Sequence, residues 1–378
     1  RWAARAGTLA LGAGAYRHAV GHFERVVELL RRFPRQMAEG IPDLDGLQVR
    51  YQAGEAAFRA GDFSNAFNHL QEVLRRAGRP LALSARHRIP VLIAQVLIQA
   101  CHRLPGGSLG WFLSTQRRQR SLLVARTWDL LSRLHIYSGD GIAVLMSALR
   151  ATNLSEVANA PLAYAHGIIG CSAAAAGSWR IADGYFRRTR ALAAGDPVGT
   201  VDTLVMEAAC MLGAARFEDA IERLRDARLR AEAVGYRLGQ GQALTVEGVC
   251  HSYTGDVQRM HEVNREALEA IRHHSHGHQP SFRCGQAMAL IQLGRFAEAR
   301  ATLDRARVLA APDDRLARAL VSASLLLVHL REGDLAAAGG EDAVLRELME
   351  GVTAIPQPCA QLLEAPAELI IARWHQAL

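Results

Sequence analysis

The sequence predicts an all-α protein, a solenoid of stacked helical hairpins with one irregular helical insert. Three observations predict it. A six-residue turn pattern recurs seven times, and its later intervals are nearly constant. Apolar residues follow the turns at helical spacing, four and seven positions after the pattern's last residue. Half of the 378 residues are apolar while only 6% are aromatic, which suits helices that meet through small side chains.

The turn pattern is a small residue, often a polar one, an aromatic or aliphatic, two variable residues and then Ala. It reads Gly14-Ala-Tyr-Arg-His-Ala19, Gly61-Asp-Phe-Ser-Asn-Ala66, Gly177-Ser-Trp-Arg-Ile-Ala182 and Ala215-Arg-Phe-Glu-Asp-Ala220. It continues as Gly255-Asp-Val-Gln-Arg-Met260, Gly294-Arg-Phe-Ala-Glu-Ala299 and Gly333-Asp-Leu-Ala-Ala-Ala338. From Gly177 to Gly333 the steps are 38, 40, 39 and 39 residues. Gly ends one helix in a conformation that other residues resist. Asp or Arg starts the turn, the aromatic pins it to a neighbour, and Ala fits where two helices cross closely. Phe23 and Val26, Leu70 and Val73, Leu224 and Ala227, and Leu303 and Ala306 then draw one buried stripe each. Such a hairpin cannot bury its faces alone, but stacked neighbours can. This is the tetratricopeptide arrangement with stretched connections, since the plain period is about 34 residues.

The pattern divides the chain into residues 1–78, an N-terminal pair of repeats, 79–159, an irregular basic insert, and 160–378, repeats of about 39 residues. The insert holds Pro80, Pro90, Pro105 and Gly106-Gly107, with helix-like sequence at 127–134 and 141–151. Further on, Asp313-Asp314 before an apolar helical run is an N-cap signature.

Composition narrows the function. All 44 basic residues are Arg, so chemistry that needs a P-loop, Schiff-base or kinase lysine is excluded. The net charge of +7 is concentrated: the eight Arg from Arg79 to Arg126 face no acidic residue in that stretch. One basic block points to a local docking face rather than to a nucleic-acid film. The six Cys form no CxxC pair, and no apolar run reaches the ~18 residues of a membrane span. Reduced thiols and a cytoplasmic location are expected. The chain opens and closes inside helix-like sequence, which reads as a piece of a longer polypeptide.

Ala148-Leu149-Arg150, Asn153-Leu154 and Glu156, with Gly78-Arg79-Pro80 ahead of the odd insert, add a family likeness. Together with the turn units they resemble the helical C-terminal region of bacterial proteins that join a class III adenylate or guanylate cyclase, or a Ser/Thr protein kinase, to an AAA-type ATPase. Ser155 stands where that family has Ala. The resemblance covers nearly the whole chain and implies a non-catalytic sensory or scaffold tail, with the ATPase of the same polypeptide as a partner. Rival readings are the ligand-sensing solenoid of an ATPase-type transcriptional regulator and a free-standing adaptor.

Candidate sites are few. HExxH does not occur, and Gly239-Gln240-Gly241 lacks both a third Gly and a preceding strand. His273, His274, His276 and His278 form a dense imidazole run, read as a solvated loop rather than a metal site. Cys171, Cys210 and Cys250 recur at one helix-contact position and read as small packing residues. Arg117, Arg118 and Arg120 lie near Trp111 and Phe112, a pattern of structural docking or of contact with an acidic protein. In tetratricopeptide solenoids the first helix of each hairpin lines a concave groove. Arg59, Glu207 and Glu247 are the polar first-helix residues expected to contact a protein or peptide there. No catalytic residue, metal or cofactor is expected, and nucleic acid and membrane are disfavoured as partners.

Overall fold

A computed structural model describes residues 2–33, 43–81, 85–104, 114–272, 278–312, 314–350 and 365–372. Pro105, Gly106, Gly107, Trp111, Phe112, His273, His274, His276 and Asp313, all weighed in the sequence, lie outside the described residues. Among the described residues every regular element is helical. In chain order they are α1 (Trp2–Gly12), α2 (Tyr16–Arg32), α3 (Asp43–Ala60), α4 (Phe63–Arg76), α5 (Ala85–His102), α6 (Thr115–Ser138), α7 (Gly141–Val157), α8 (Ala163–Ala175) and α9 (Trp179–Ala193). Then come α10 (Pro197–Gly213), α11 (Phe217–Ala233), α12 (Arg237–Thr254), α13 (Val257–Ile271), α14 (Gln279–Gln292), α15 (Phe296–Leu309), α16 (Arg315–Glu332) and α17 (Leu335–Met349). No described helix is long and apolar enough to cross a membrane.

Every turn that the sequence pattern marks joins two helices of a hairpin. The leading residue has positive φ at Gly14, Gly61, Gly177, Gly255, Gly294 and Gly333, and also at Ala215, where φ is 58°. At five of the seven turns the following residue starts the second helix in one of two ways. Asp62, Asp256 and Asp334 accept a hydrogen bond from the backbone N–H three residues on, at 3.1, 3.0 and 2.9 Å. Arg216 and Arg295 make no such cap but pair with Asp219 and Glu298 in the same turn, at 2.7 Å each. Asp314 caps α16 as its sequence indicated, accepting from the Ala317 N–H at 3.0 Å.

The hairpins close on a small-against-large contact. A Cβ placed on Gly7 would lie 2.8 Å from the Phe23 ring, one on Gly54 2.9 Å from Leu70, and one on Gly170 2.8 Å from the Phe186 ring. In each pair the large residue comes sixteen positions after the small one. Ala208 before Leu224 and Ala287 before Leu303 occupy the same spacing, and all four are fully buried. Ala19, Ala66, Ala182, Ala220, Ala299 and Ala338 are also fully buried, at the second-helix position the pattern names.

Two compact units contain these hairpins. One comprises Arg1–His135 and Ile142–Ile169, the other Ile136–Gly141 and Gly170–Leu378. The first unit therefore gathers the early repeats with most of the stretch that the sequence set apart as irregular. Within that stretch α5, α6 and α7 are 18, 24 and 17 residues long. Leu123, Val124, Ala125, Thr127, Trp128, Leu130, Leu131 and Leu134 are all buried around α6. A helix covered on so many sides loses the 3.6-residue apolar stripe that marks a surface helix. That loss explains why the sequence reads as irregular there.

In the second unit the first helices α10, α12, α14 and α16 contact one another in succession, whereas α11, α13, α15 and α17 barely meet. The first helices thus lie on the tighter side of the stack.

Two outcomes follow for stability. Leu at Ala66, Ala182, Ala220 or Ala299 overpacks a sealed crossing and costs about 1–3 kcal/mol in chemical denaturation. Ala215→Gly relieves a left-handed Ala and gains about 0.5–1 kcal/mol by the same assay, glycine's chain entropy offsetting part of the relief.

Candidate functional site

The tighter side of the second unit presents a recessed face. Along α10, α12 and α14 the residues Met206, Gln242, Thr245, Ser252 and Met288 are half-buried, and Gln292 is exposed at the end. Gln292 donates to the Ser252 hydroxyl across two first helices at 2.7 Å, and Tyr236 donates to Asp202 at 3.0 Å. The side chains left on this face are amides, hydroxyls and thioethers. They suit a chain segment whose backbone seeks hydrogen bonds and whose side chains need adaptable contacts.

Both of the expected groove carboxylates are buried. Glu207 is 2% exposed and its carboxylate bonds Arg190 of α9, with Arg223 of α11 at 3.7 Å. It points between the second helices on either side of α10, not along the first-helix face. Burial raises its pKa, and the two guanidiniums offset only part of that rise. Glu247 is fully buried, 3.7 Å from His251 and 3.9 Å from Arg259 of α13. Residue type and helix number single out these carboxylates in the sequence, but the side of the helix they occupy is set by packing. The arginines these carboxylates restrain remain about a third or more exposed: 42% for Arg190, 36% for Arg223 and 32% for Arg259. Arg59, in the first unit, is 42% exposed, pairs with Glu55 at 2.8 Å and lies 6.0 Å from the centre of the Tyr16 ring.

Arg117 and Arg120 are exposed and Arg118 half-buried in the first turns of α6. Cations there oppose the helix dipole, so helix stability does not account for them. Cys171 and Cys210 pack on the core formed by Ala174, Ala182 and Phe186. The neighbouring Cys210 and then burial push the Cys171 thiol up, and burial beside Glu247 pushes Cys250 up to about 12. Thiols held protonated in this way are poor nucleophiles, as packing residues should be. His278 is buried with its Nδ1 3.2 Å from the Tyr137 hydroxyl, and burial lowers its pKa to about 4. Among the described residues no group of three or more His, Cys, Asp or Glu is arranged to hold a metal ion.

The first unit contains a charged cluster that the sequence did not reveal. Glu156 of α7 is 5% exposed, with His102 at 3.0 Å, Arg103 at 3.1 Å and His166 at 3.1 Å. Gln99 donates to the same carboxylate at 3.3 Å. Burial alone would raise the Glu156 pKa; bonds from His166 and His102 and the charge of Arg103 outweigh it and hold the group at about 2. The cluster ties α5 and α8 to α7. The partners come from 54 and 57 residues before Glu156 and 10 after it, a separation no local pattern encodes.

No protein-family model matches the chain, and no curated protein matches it by sequence. Solved structures do match. The Rap conjugation gene regulator of the plasmid pLS20, in complex with the Phr peptide, is 13% identical over 86% of this chain and 96% of its own, with a TM-score of 0.51. A Rap protein complexed with competence and sporulation factor is 12% identical over 87% of this chain and 99% of its own, with a TM-score of 0.50. The APC/C hetero-tetramer Cut9-Hcn1 gives 13% identity over 97% of this chain and 76% of that chain, with a TM-score of 0.46. The likeness establishes the fold, an all-α solenoid of the tetratricopeptide type.

Glu156→Gln is expected to cost about 3 kcal/mol near pH 7, the scale of a broken buried ion pair. Because the folded carboxyl titrates near 2 against 4.5 ordinarily, its contribution is complete above pH 4.5 and is lost as pH falls towards 2. Denaturation midpoints of wild type and variant should therefore converge across that acid window.

Proposed function

We propose that this chain is a non-catalytic interaction and regulatory solenoid whose recessed first-helix face in the second unit receives an extended protein segment. The observation that carries the reading is the direct succession of α10, α12 and α14, which leaves a continuous half-buried polar face. Gln242, Ser252 and Gln292 supply amides and a hydroxyl for the segment's backbone, and Met206 and Met288 supply deformable apolar contact. Glu207 and Glu247 act behind that face, holding Arg190, Arg223 and Arg259 for acidic side chains of the partner. Arg59 in the first unit, and Arg117, Arg118 and Arg120 on α6, give further contacts to acidic protein surface. A fold of this kind holds a peptide in the pLS20 regulator complex, which supports the reading.

The finer context follows from the sequence resemblance. The chain is the sensory tail of a signalling ATPase with cyclase or kinase output, and the ATPase is the natural partner. Residues 1–78, 79–159 and 160–378 then serve as entry repeats, basic docking insert and binding repeats. Its mechanism is population shift: a partner that prefers one curvature of the stack biases the attached domains.

Selection from a displayed library of random peptides tests the binding face. Enriched peptides should bind the purified chain saturably, and Gln242→Arg should weaken them at least tenfold with the helical circular dichroism unchanged. Failure to enrich any peptide, or equal binding by the folded variant, contradicts the reading.

A further inference from the structure

A cavity of about 260 Å³ lies within the first unit, between the end of α4 and helices α5, α6 and α7. Two stretches that the repeat pattern does not require meet at its wall. Gly78-Arg79-Pro80 brings Arg79 and Pro80, and the α7 stretch around Ala148 brings Arg150, Asn153 and Leu154.

The chemistry of the wall is one-sided. Neither Arg79 nor Arg150 forms an ion pair with a described carboxylate. Arg150 lies with its guanidinium carbon 4.5 Å from the centre of the Trp128 ring, and Trp128 is 1% exposed. Stacking on an indole leaves the edge N–H groups of a guanidinium free to form bidentate hydrogen bonds. Burial and then the charge of Arg79 lower the Arg150 pKa, so the cavity carries more positive charge than its surroundings neutralise. Glu156, two and three positions from the lining residues Leu154 and Asn153, is already engaged by His102, Arg103 and His166. Asn153 donates through Nδ2 to the backbone oxygen and to Oε1 of Gln95, both at 3.0 Å, while its own buried Oδ1 accepts nothing. Ile98, Leu154 and Val157 complete the wall with apolar surface.

We propose that this cavity binds a small organic anion: a carboxylate or phosphate held by Arg79 and Arg150, with an apolar body against Ile98, Leu154 and Val157. The volume is that of roughly nine liquid waters, which sets the ligand at about ten non-hydrogen atoms. The site is separate from the binding face of the second unit, so either reading can fail without the other.

Calorimetric titration of the whole chain with 4-hydroxybenzoate, phenyl phosphate, inorganic phosphate and tyramine tests it. Saturable binding of 4-hydroxybenzoate or phenyl phosphate is expected, tighter than inorganic phosphate at equal ionic strength, with none for the cation tyramine. Preference between the two organic anions identifies the head group. Arg150→Gln and Arg79→Gln should each weaken binding at least tenfold, while Arg117→Gln leaves it unchanged. Arg79 is exposed, so its variant keeps the test valid should the Arg150 variant fold poorly. Millimolar organic anion that does not bind, tyramine that binds as well, or folded Arg79→Gln with wild-type affinity would each overturn the proposal.

Discussion

The close crossing of two helices within each hairpin is the constraint on which the structure depends. It needs a residue without bulk on the first helix, a large one on the second, and Ala just after the turn. Gly170 against Phe186 shows how little room there is, since even a methyl group would overlap the ring. The same contact recurs from Gly7 to Ala287, so each hairpin offers its neighbour a similar surface and the units stack. Gly248 meets Asn264 at the equivalent place, and there the buried amide donates back to the Met260 carbonyl at 2.9 Å. The donor of this polar residue is satisfied within its own helix, while its buried Oδ1 accepts no hydrogen bond.

Buried carboxylates link the helices that this crossing does not. Glu156 and Glu207 are almost equally buried, yet their pKa values move in opposite directions. Glu156 collects two imidazoles, a guanidinium and an amide, and those bonds exceed the cost of desolvation. Glu207 has one closely bonded guanidinium and a second 3.7 Å away, and desolvation prevails. The first is a tie between α5, α7 and α8; the second restrains Arg190 of α9 and Arg223 of α11, the helices on either side of α10.

Much of the fold was legible because the repeat is a local code. The turn residues, the Ala after them and the stripe at helical spacing all lie within about a dozen residues, and Ala215 could be placed in the series despite lacking the expected Gly. The sixteen-residue pairing of small with large is equally present in the sequence, but Gly7, Gly54 and Gly170 look like helix breakers in isolation. The α6 segment was obscured by its own burial, which erased the stripe. Site residues were less legible. Residue type and helix number pointed to Glu207 and Glu247, but the side of the helix depends on packing with α9, α11 and α13. The Glu156 cluster and the Arg79–Arg150 cavity join residues from well-separated helices, and only the fold brings them together.

The most direct test of the account is the location of a bound partner segment. A crystal structure of the chain with a selected peptide should place the peptide along α10, α12 and α14, against Gln242, Thr245 and Ser252. A peptide seated instead on the second helices α11, α13 and α15 would contradict it.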